Sequence, residues 1–265
     1  MSMQLADPKQ LKGFRDNLQK FHDPLLAVFS EYAQSSDEAE QRTRRMMALA
    51  FSEAQTNPSL LRCTPQSVLR SLLVVTQMGL SIGGDEAYLI GYGKDCTVVP
   101  GYQGLVTLAA NSGFMRSINY DVICVHDDFT VKGQGVFTHI RSFNDPECLC
   151  RHDPKAFYDN VQGSWVEIEL TTGGTQRTLM DWQEINSVRS GREGFGWQSY
   201  PWRMSAKTVL RRALRTMPKR PDMSPDLMKA IVLNDRADKN DPMPLRGLEF
   251  NIPEELDDAT TPQEN

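Results

Sequence analysis

A chain of 265 residues, 40% hydrophobic and 24% charged, has the balance of a globular protein with room for one large domain or two small ones. It holds no run of eighteen apolar residues and opens on no basic-then-apolar leader, so the sequence predicts neither a membrane-spanning helix nor a secretion signal. The net charge of −5 is uneven: positions 221–265 hold eleven acids against four bases, which leaves positions 1–220 slightly basic.

Helices are predicted over the first eighty residues. Leu11, Phe14, Leu18 and Phe21 form an apolar stripe at three- and four-residue spacing. Pro24 opens a second helix through Phe29 and Tyr32. Ser36 is the expected N-cap of a third, which runs to Gln55 and stops before Asn57-Pro58. Thr64-Pro65 caps a fourth helix that reaches Met78 and ends at Gly79. Short β-prone runs at 87–91 and 96–99 flank Gly91-Tyr92-Gly93-Lys94-Asp95 and predict a hairpin. A helix over 103–110 follows, then strands over 119–125, 129–132, 136–139, 164–170 and 176–180, and a short helix from Asp181 or Trp182. Residues 190–202 read as a loop. Pro201 starts a long helix to about Met217, and a last one spans 225–232. The fold class expected is α+β: a helical N-terminal part, a twisted, mostly antiparallel sheet with a hairpin, and packed helices forming a basic groove. An ordered core is expected over 1–235, with an acidic, disordered tail over 236–265 that could recruit a partner. Cutting the chain after Val232 is expected to leave folding intact and DNA affinity equal or higher.

The five cysteines are odd in number, and Cys148 and Cys150 form a C-x-C pair without a second pair. Reduced thiols are expected, not a zinc site. Arg203–Arg220 contains seven Lys/Arg and no acid. On a helical wheel Arg203, Lys207, Arg211 and Arg215 step along the side next to the apolar residues, with Arg212 opposite. One cation per turn rises about 6 Å, a spacing suited to the phosphates of an extended single strand. A solvated helix face is the usual meaning of a charge run, but such faces mix signs so that i,i+4 pairs can form. The loop ahead of the helix adds Phe195, Trp197, Tyr200 and Trp202, rings on which bases could stack and some of which would be core anchors, with Arg189 and Arg192 alongside. His126-Asp127-Asp128 raises the alternative of a metal-dependent nuclease, although catalytic metals need three or four convergent ligands. Gly93-Lys94 is followed by Asp95, so no phosphate-binding loop of the G-x-x-x-x-G-K-[ST] type occurs.

Several blocks of the chain, in this order and spacing, make it resemble a known family. They are Thr64-Pro65-Gln66-Ser67-Val68-Leu69, Met78-Gly79-Leu80-Ser81-Ile82, Ala87-Tyr88-Leu89-Ile90, Gly101-Tyr102-Gln103-Gly104-Leu105, Asn111-Ser112-Gly113, the stretch from Asp128-Phe129 to His139, Pro201-Trp202-Arg203-Met204, Lys207-Thr208-Val209-Leu210-Arg211-Arg212 and Pro218. The sequence resembles the RecT family of phage single-strand DNA annealing proteins, distantly similar to lambda Red beta. The resemblance implies ATP-independent binding and annealing of single strands in phage-type recombination, by a protein that is not a hydrolase. It also implies a homo-oligomer, as ring or helical filament, that holds single-stranded DNA and then the annealed duplex. An exonuclease and a host single-strand binding protein are the further partners implied, in a bacterial cytoplasm. No cofactor is required, and a magnesium ion could serve as counter-ion. The residues expected to bind DNA are Arg203, Lys207, Arg211, Arg212, Arg215, Trp202, Trp197, Arg192, Lys94, Tyr102 and Gln103.

Overall fold

Polar side chains mark where the helices begin. In the computed structural model the Asp7 carboxylate accepts the Lys9 N–H and opens α1 (Pro8–Lys20). The short helix α2 (His22–Ser30) follows directly. Ser35, in extended backbone at φ −151°, accepts the Glu38 N–H and caps α3 (Ser36–Thr56). The expected cap, Ser36, is already helical. Thr64 caps α4 (Pro65–Gln77), after a 3-10 turn over Pro58–Arg62 that the sequence did not signal. The structure describes residues 7–133, 135–142, 149–191, 194–217 and 225–238. Arg192, Lys219, Arg220 and the acidic segment beyond Asp238 lie outside these residues.

The chain divides into two compact units: Met1–Leu108 with Ser224–Asn265, and Ala109–Met223. In the first, Phe14, Leu18, Phe21, Leu25, Met46, Leu69 and Leu72 are buried where α1 to α4 pack together. The hairpin β1 (Ala87–Tyr92) and β2 (Asp95–Pro100) turns on Gly93-Lys94, with Gly93 at φ +65°. Two hydroxyls join α4 to β2. Ser71 donates to the Cys96 carbonyl and Ser67 accepts the Cys96 N–H, both at 3.0 Å. The helix α5 (Tyr102–Asn111) begins against residues 85 and 86. There the Gly101 N–H donates to the Glu86 carbonyl at 2.7 Å and the Gln103 N–H to that of Asp85 at 3.2 Å. A Cβ on Gly101 or Gly104 would stand 1.9 Å or 2.1 Å from those carbonyl oxygens, so only glycine permits the approach. The last described helix, α10 (Pro225–Asp238), packs on β2 and extends past the expected end at Val232. Its buried Leu233 and Asn234 explain the extension: Asn234 Nδ2 donates to the Pro100 carbonyl at 2.6 Å.

The second unit is built on an antiparallel sheet in the order β3 (Met115–Cys124), β6 (Val161–Leu170), β7 (Thr175–Asp181). Tyr120 lies opposite Val166, and Trp165 opposite Leu179. A separate hairpin pairs β4 (Asp128–Gly133) with β5 (Val136–Ile140), and helices α6 (Pro154–Asn160), α7 (Trp182–Arg189), α8 (Phe195–Ser199) and α9 (Pro201–Thr216) complete the unit. The fold is thus mixed helix and antiparallel sheet, as expected. The strands form three sheets among the described residues, however, where a single sheet was expected. The β1–β2 hairpin belongs to the first unit, where β2 packs against α4 and α10. Cys124 and Cys150 are joined as a disulfide, contrary to the expectation of reduced thiols. The end of β3 and the turn before α6 converge on Phe157, which brings the two sulfurs together in the core. Among the described residues, no helix is long and apolar enough to cross a membrane.

Candidate nucleic-acid interface

The basic helix takes the form its sequence dictates. Pro201 occupies the first helical position, and Ala206, Val209, Leu210, Ala213 and Leu214 are buried against β3, β6 and β7. Two polar contacts fix its rotation on the sheet. The Ser164 and Ser205 hydroxyls meet at 2.6 Å in the interior, and Gln176 Nε2 donates to the Ala213 carbonyl and the Thr216 hydroxyl, each at 2.9 Å. With that side held, Arg203, Lys207, Arg211 and Arg215 follow one another every fourth residue beside the buried stripe. The row rises about 6 Å per step and about 18 Å in all. Arg203 and Arg215 are exposed, whereas Lys207 and Arg211 are half-buried. Arg215 also lies in the last turn, where the helix dipole favours a cation.

Arg212 stands apart from the row. Its guanidinium reaches Glu184 of α7 at 2.8 Å, so the acid that the helix itself lacks comes from a neighbouring element. Both partners are about half exposed, and such pairs contribute roughly 0–1 kcal/mol.

The aromatic residues separate into core and surface. Trp197 is only 6% exposed, with its ring against Trp182 and beneath the Arg189 guanidinium. This leaves no face on which a base could stack, and the structure assigns Trp197 to the core. Trp202 is half-buried against the cluster of Val122, Cys124, Cys150 and Phe157. Tyr200 is 44% exposed, lies edge-on to Trp202, and carries the Arg203 guanidinium 5.2 Å above its ring. Sequence reasoning noted Tyr200 in the aromatic loop but did not select it. Its signal was position, immediately ahead of Pro201 and the first cation of the row. Residues 195–199, read as loop, form the short helix α8.

The remaining candidates lie in the first unit. Lys94 is exposed at the β1–β2 turn, while its carbonyl accepts the Thr64 N–H at 2.8 Å. Tyr102 is half-buried and Gln103 exposed in the first turn of α5. Arg192 lies outside the described residues.

The His126-Asp127-Asp128 cluster has a different character. The Asp127 side chain is fully buried and accepts Arg151 Nη2 at 2.7 Å, His139 Nε2 at 3.0 Å, and the N–H groups of Cys124 and Ser142. Burial alone would raise its pKa, but the bonds from Arg151, the two backbone groups and His139 prevail and hold it well below the usual carboxylate range. Trp165 Nε1, which can only donate, bonds His139 Nδ1 at 2.9 Å, so the ring hydrogen lies on Nε2, facing Asp127. Arg151 also holds Asp121 and the Val122 carbonyl. Asp127 thus anchors a structural network. Among the described residues no group of three His, Cys, Asp or Glu side chains is placed to hold a metal ion.

A model of the RecT family matches residues 44–231. The chain belongs to the RecT family. Protein RecT of Escherichia coli strain K12 is 26% identical over 206 residues, covering 72% of this chain and 71% of that protein. The RecT match runs from within α3 into α10, and so includes the hairpin, the glycine-dependent start of α5 and the whole of α9.

Proposed function

We propose that this RecT-family chain binds single-stranded DNA along the cation row of α9 and anneals it to a complementary strand without nucleotide hydrolysis. The observation that carries the reading is the geometry of α9. One side is pinned to the sheet by buried leucines and two polar contacts, while Arg203, Lys207, Arg211 and Arg215 repeat beside it at the pitch of the helix. A helix held in this way presents its charges at fixed spacing, so little entropy is lost when a strand aligns with them. Membership of a family of recombination and annealing proteins supports the same reading. Phosphate contacts would offset strand–strand repulsion, and base stacking in the product, about 1.4 kcal/mol per step, would supply the driving force. Assembly of many copies along the strand, an exonuclease that supplies single strands, and a bacterial cytoplasmic setting belong to this proposal. The nuclease alternative has no support in the site: Asp127, its central carboxylate, is committed to Arg151 and His139.

The test is to mix two labelled complementary oligonucleotides with the protein and magnesium, with and without ATP. Faster duplex formation at unchanged strand length, equal in both conditions, is the expected result. Shortened strands would restore the nuclease reading, and an ATP-dependent rate would require a motor site.

A further inference from the structure

The first unit contains a cavity of about 340 Å³ where α2 and α3 meet the end of α4. Phe29, Met46, Leu49 and Leu80 supply apolar walls. Arg42, Arg45, Met46 and Leu49 come from one face of α3 at three- and four-residue spacing, so the walls and the charges share a helix. Tyr32, 59% exposed, and the exposed Arg42 and Arg45 stand at the opening. Arg42 pairs with Glu38 at 2.6 Å, whereas Arg45 has no ion-pair partner among the described residues. Glu86 is the cavity's own acid, and its two oxygens are occupied by the Ser81 N–H and the Thr107 hydroxyl. A site of this kind suits a ligand with an apolar side chain to bury and negative charge beside it.

The chain carries such a segment. Leu248-Glu249-Phe250-Asn251-Ile252-Pro253-Glu254-Glu255-Leu256-Asp257-Asp258 holds four large apolar residues, five acids and no base. Its attachment point, α10, belongs to the same unit as the cavity. Asn234 of α10 holds the Pro100 carbonyl, and Gly101, the next residue, donates to the carbonyl of Glu86 in the cavity wall. Asn234 is thus linked through Pro100-Gly101 to a residue that lines the cavity. From Asp238 the ten steps to Leu248 can span at most about 36 Å, ample for a turn back onto the same unit.

We propose that the cavity seats the chain's own acidic segment 248–258, with Phe250 against the apolar walls and the acids beside Arg42 and Arg45. Shape argues for this occupant over a DNA strand, whose phosphates beside Arg42 and Arg45 would leave the apolar walls unfilled.

Hydrogen–deuterium exchange of the full-length protein tests the seat directly. In the wild-type chain, amides of 248–258 should exchange more slowly than their intrinsic rates. Arg45→Glu should remove about fivefold of that protection. Arg45 is exposed, so this variant should leave the core intact. Phe250→Ser should speed exchange around Met46 and Leu80, and adding Glu254→Arg and Glu255→Arg to Arg45→Glu should restore protection. Intrinsic-rate exchange of 248–258 in the wild type would overturn the proposal, as would an Arg45→Glu variant indistinguishable from it. Protection that grows over a roughly hundredfold range of protein concentration would put a second copy's segment in the cavity and refute the intramolecular seat. Protection of the cavity by an oligothymidylate in Phe250→Ser would make it a DNA site instead.

Discussion

Arg203 and Arg215 provide the cleanest perturbation of the proposed DNA row. Both are exposed, whereas Lys207 and Arg211 are half-buried beside the apolar stripe, so removing either of those would mix binding with packing. Each phosphate neutralised on a single strand contributes about 0.7 to the slope of log affinity against log salt. At roughly 0.1 M salt, one decade below the 1 M reference, each contact is then worth about fivefold in affinity. The double variant Arg203→Ala/Arg215→Ala should therefore lower the slope by about 1.4 and weaken binding about 25-fold. Its stability should change by less than about 2 kcal/mol, because both side chains are exposed, Arg203 over the Tyr200 ring and Arg215 in the last turn of the helix. Leu210→Ala is the control: that side chain is fully buried, so its loss should cost about 2–5 kcal/mol of stability. Fluorescence anisotropy of a labelled oligonucleotide across a salt series, with thermal melts alongside, measures both quantities. If the double variant loses affinity at an unchanged salt slope, or melts as early as Leu210→Ala, α9 is not the phosphate row.

Three further outcomes follow from the geometry. Asp127→Asn should destabilise the second unit by about 3–5 kcal/mol, because Arg151 and His139 lose a buried anion. The native Asp127 pKa is depressed, so its contribution is complete above the unfolded value near 3.9 and fades as pH falls through the native value. Urea midpoints should thus converge for wild type and variant below about pH 4, and parallel profiles would refute the assignment. Trp197→Ala should cost about 3–5 kcal/mol in denaturant titrations while the salt slope of DNA binding stays unchanged; a lower slope would return Trp197 to the interface. A chain cut after Val232 should be markedly less stable than one cut after Asp238, because the shorter one loses buried Leu233 and leaves the Pro100 carbonyl without Asn234. Equal melting temperatures would contradict that role for the end of α10.

The sequence was most legible where structure is local. Thr64-Pro65 caps α4, Pro201 opens α9, and Gly93-Lys94 turns the hairpin, as the residue types require. The same logic applied to α6, whose Asp153-Pro154 repeats the cap-and-proline pair of α4. That helix has only seven residues, too few to show an apolar period, and it was missed. What could not be read was decided by residues far apart in the chain. Arg212 meets Glu184 across 28 residues, and Asp127 meets Arg151 across 24. Trp197 is buried by Trp182 and Arg189, which no spacing rule connects to it. The cation row was visible because a helix converts sequence spacing directly into distance. Exposure along that row was not, since it depends on the sheet beneath.

The hydrogen bond from Asn234 to Pro100 closes a loop of 134 residues, and the whole second unit lies inside that loop. Synthesis from the ribosome is vectorial, so α1 to α4 and the β1–β2 hairpin emerge long before the helix that packs on β2. The second unit, an uninterrupted stretch from Ala109 to Met223, is fully exposed to folding conditions before α10 has left the exit tunnel. During that interval the first unit is a nascent intermediate with one apolar face of its hairpin uncovered. Its completion waits on the closing of a long loop, whose entropic cost falls if the inserted unit has already folded and shortened the span to be closed.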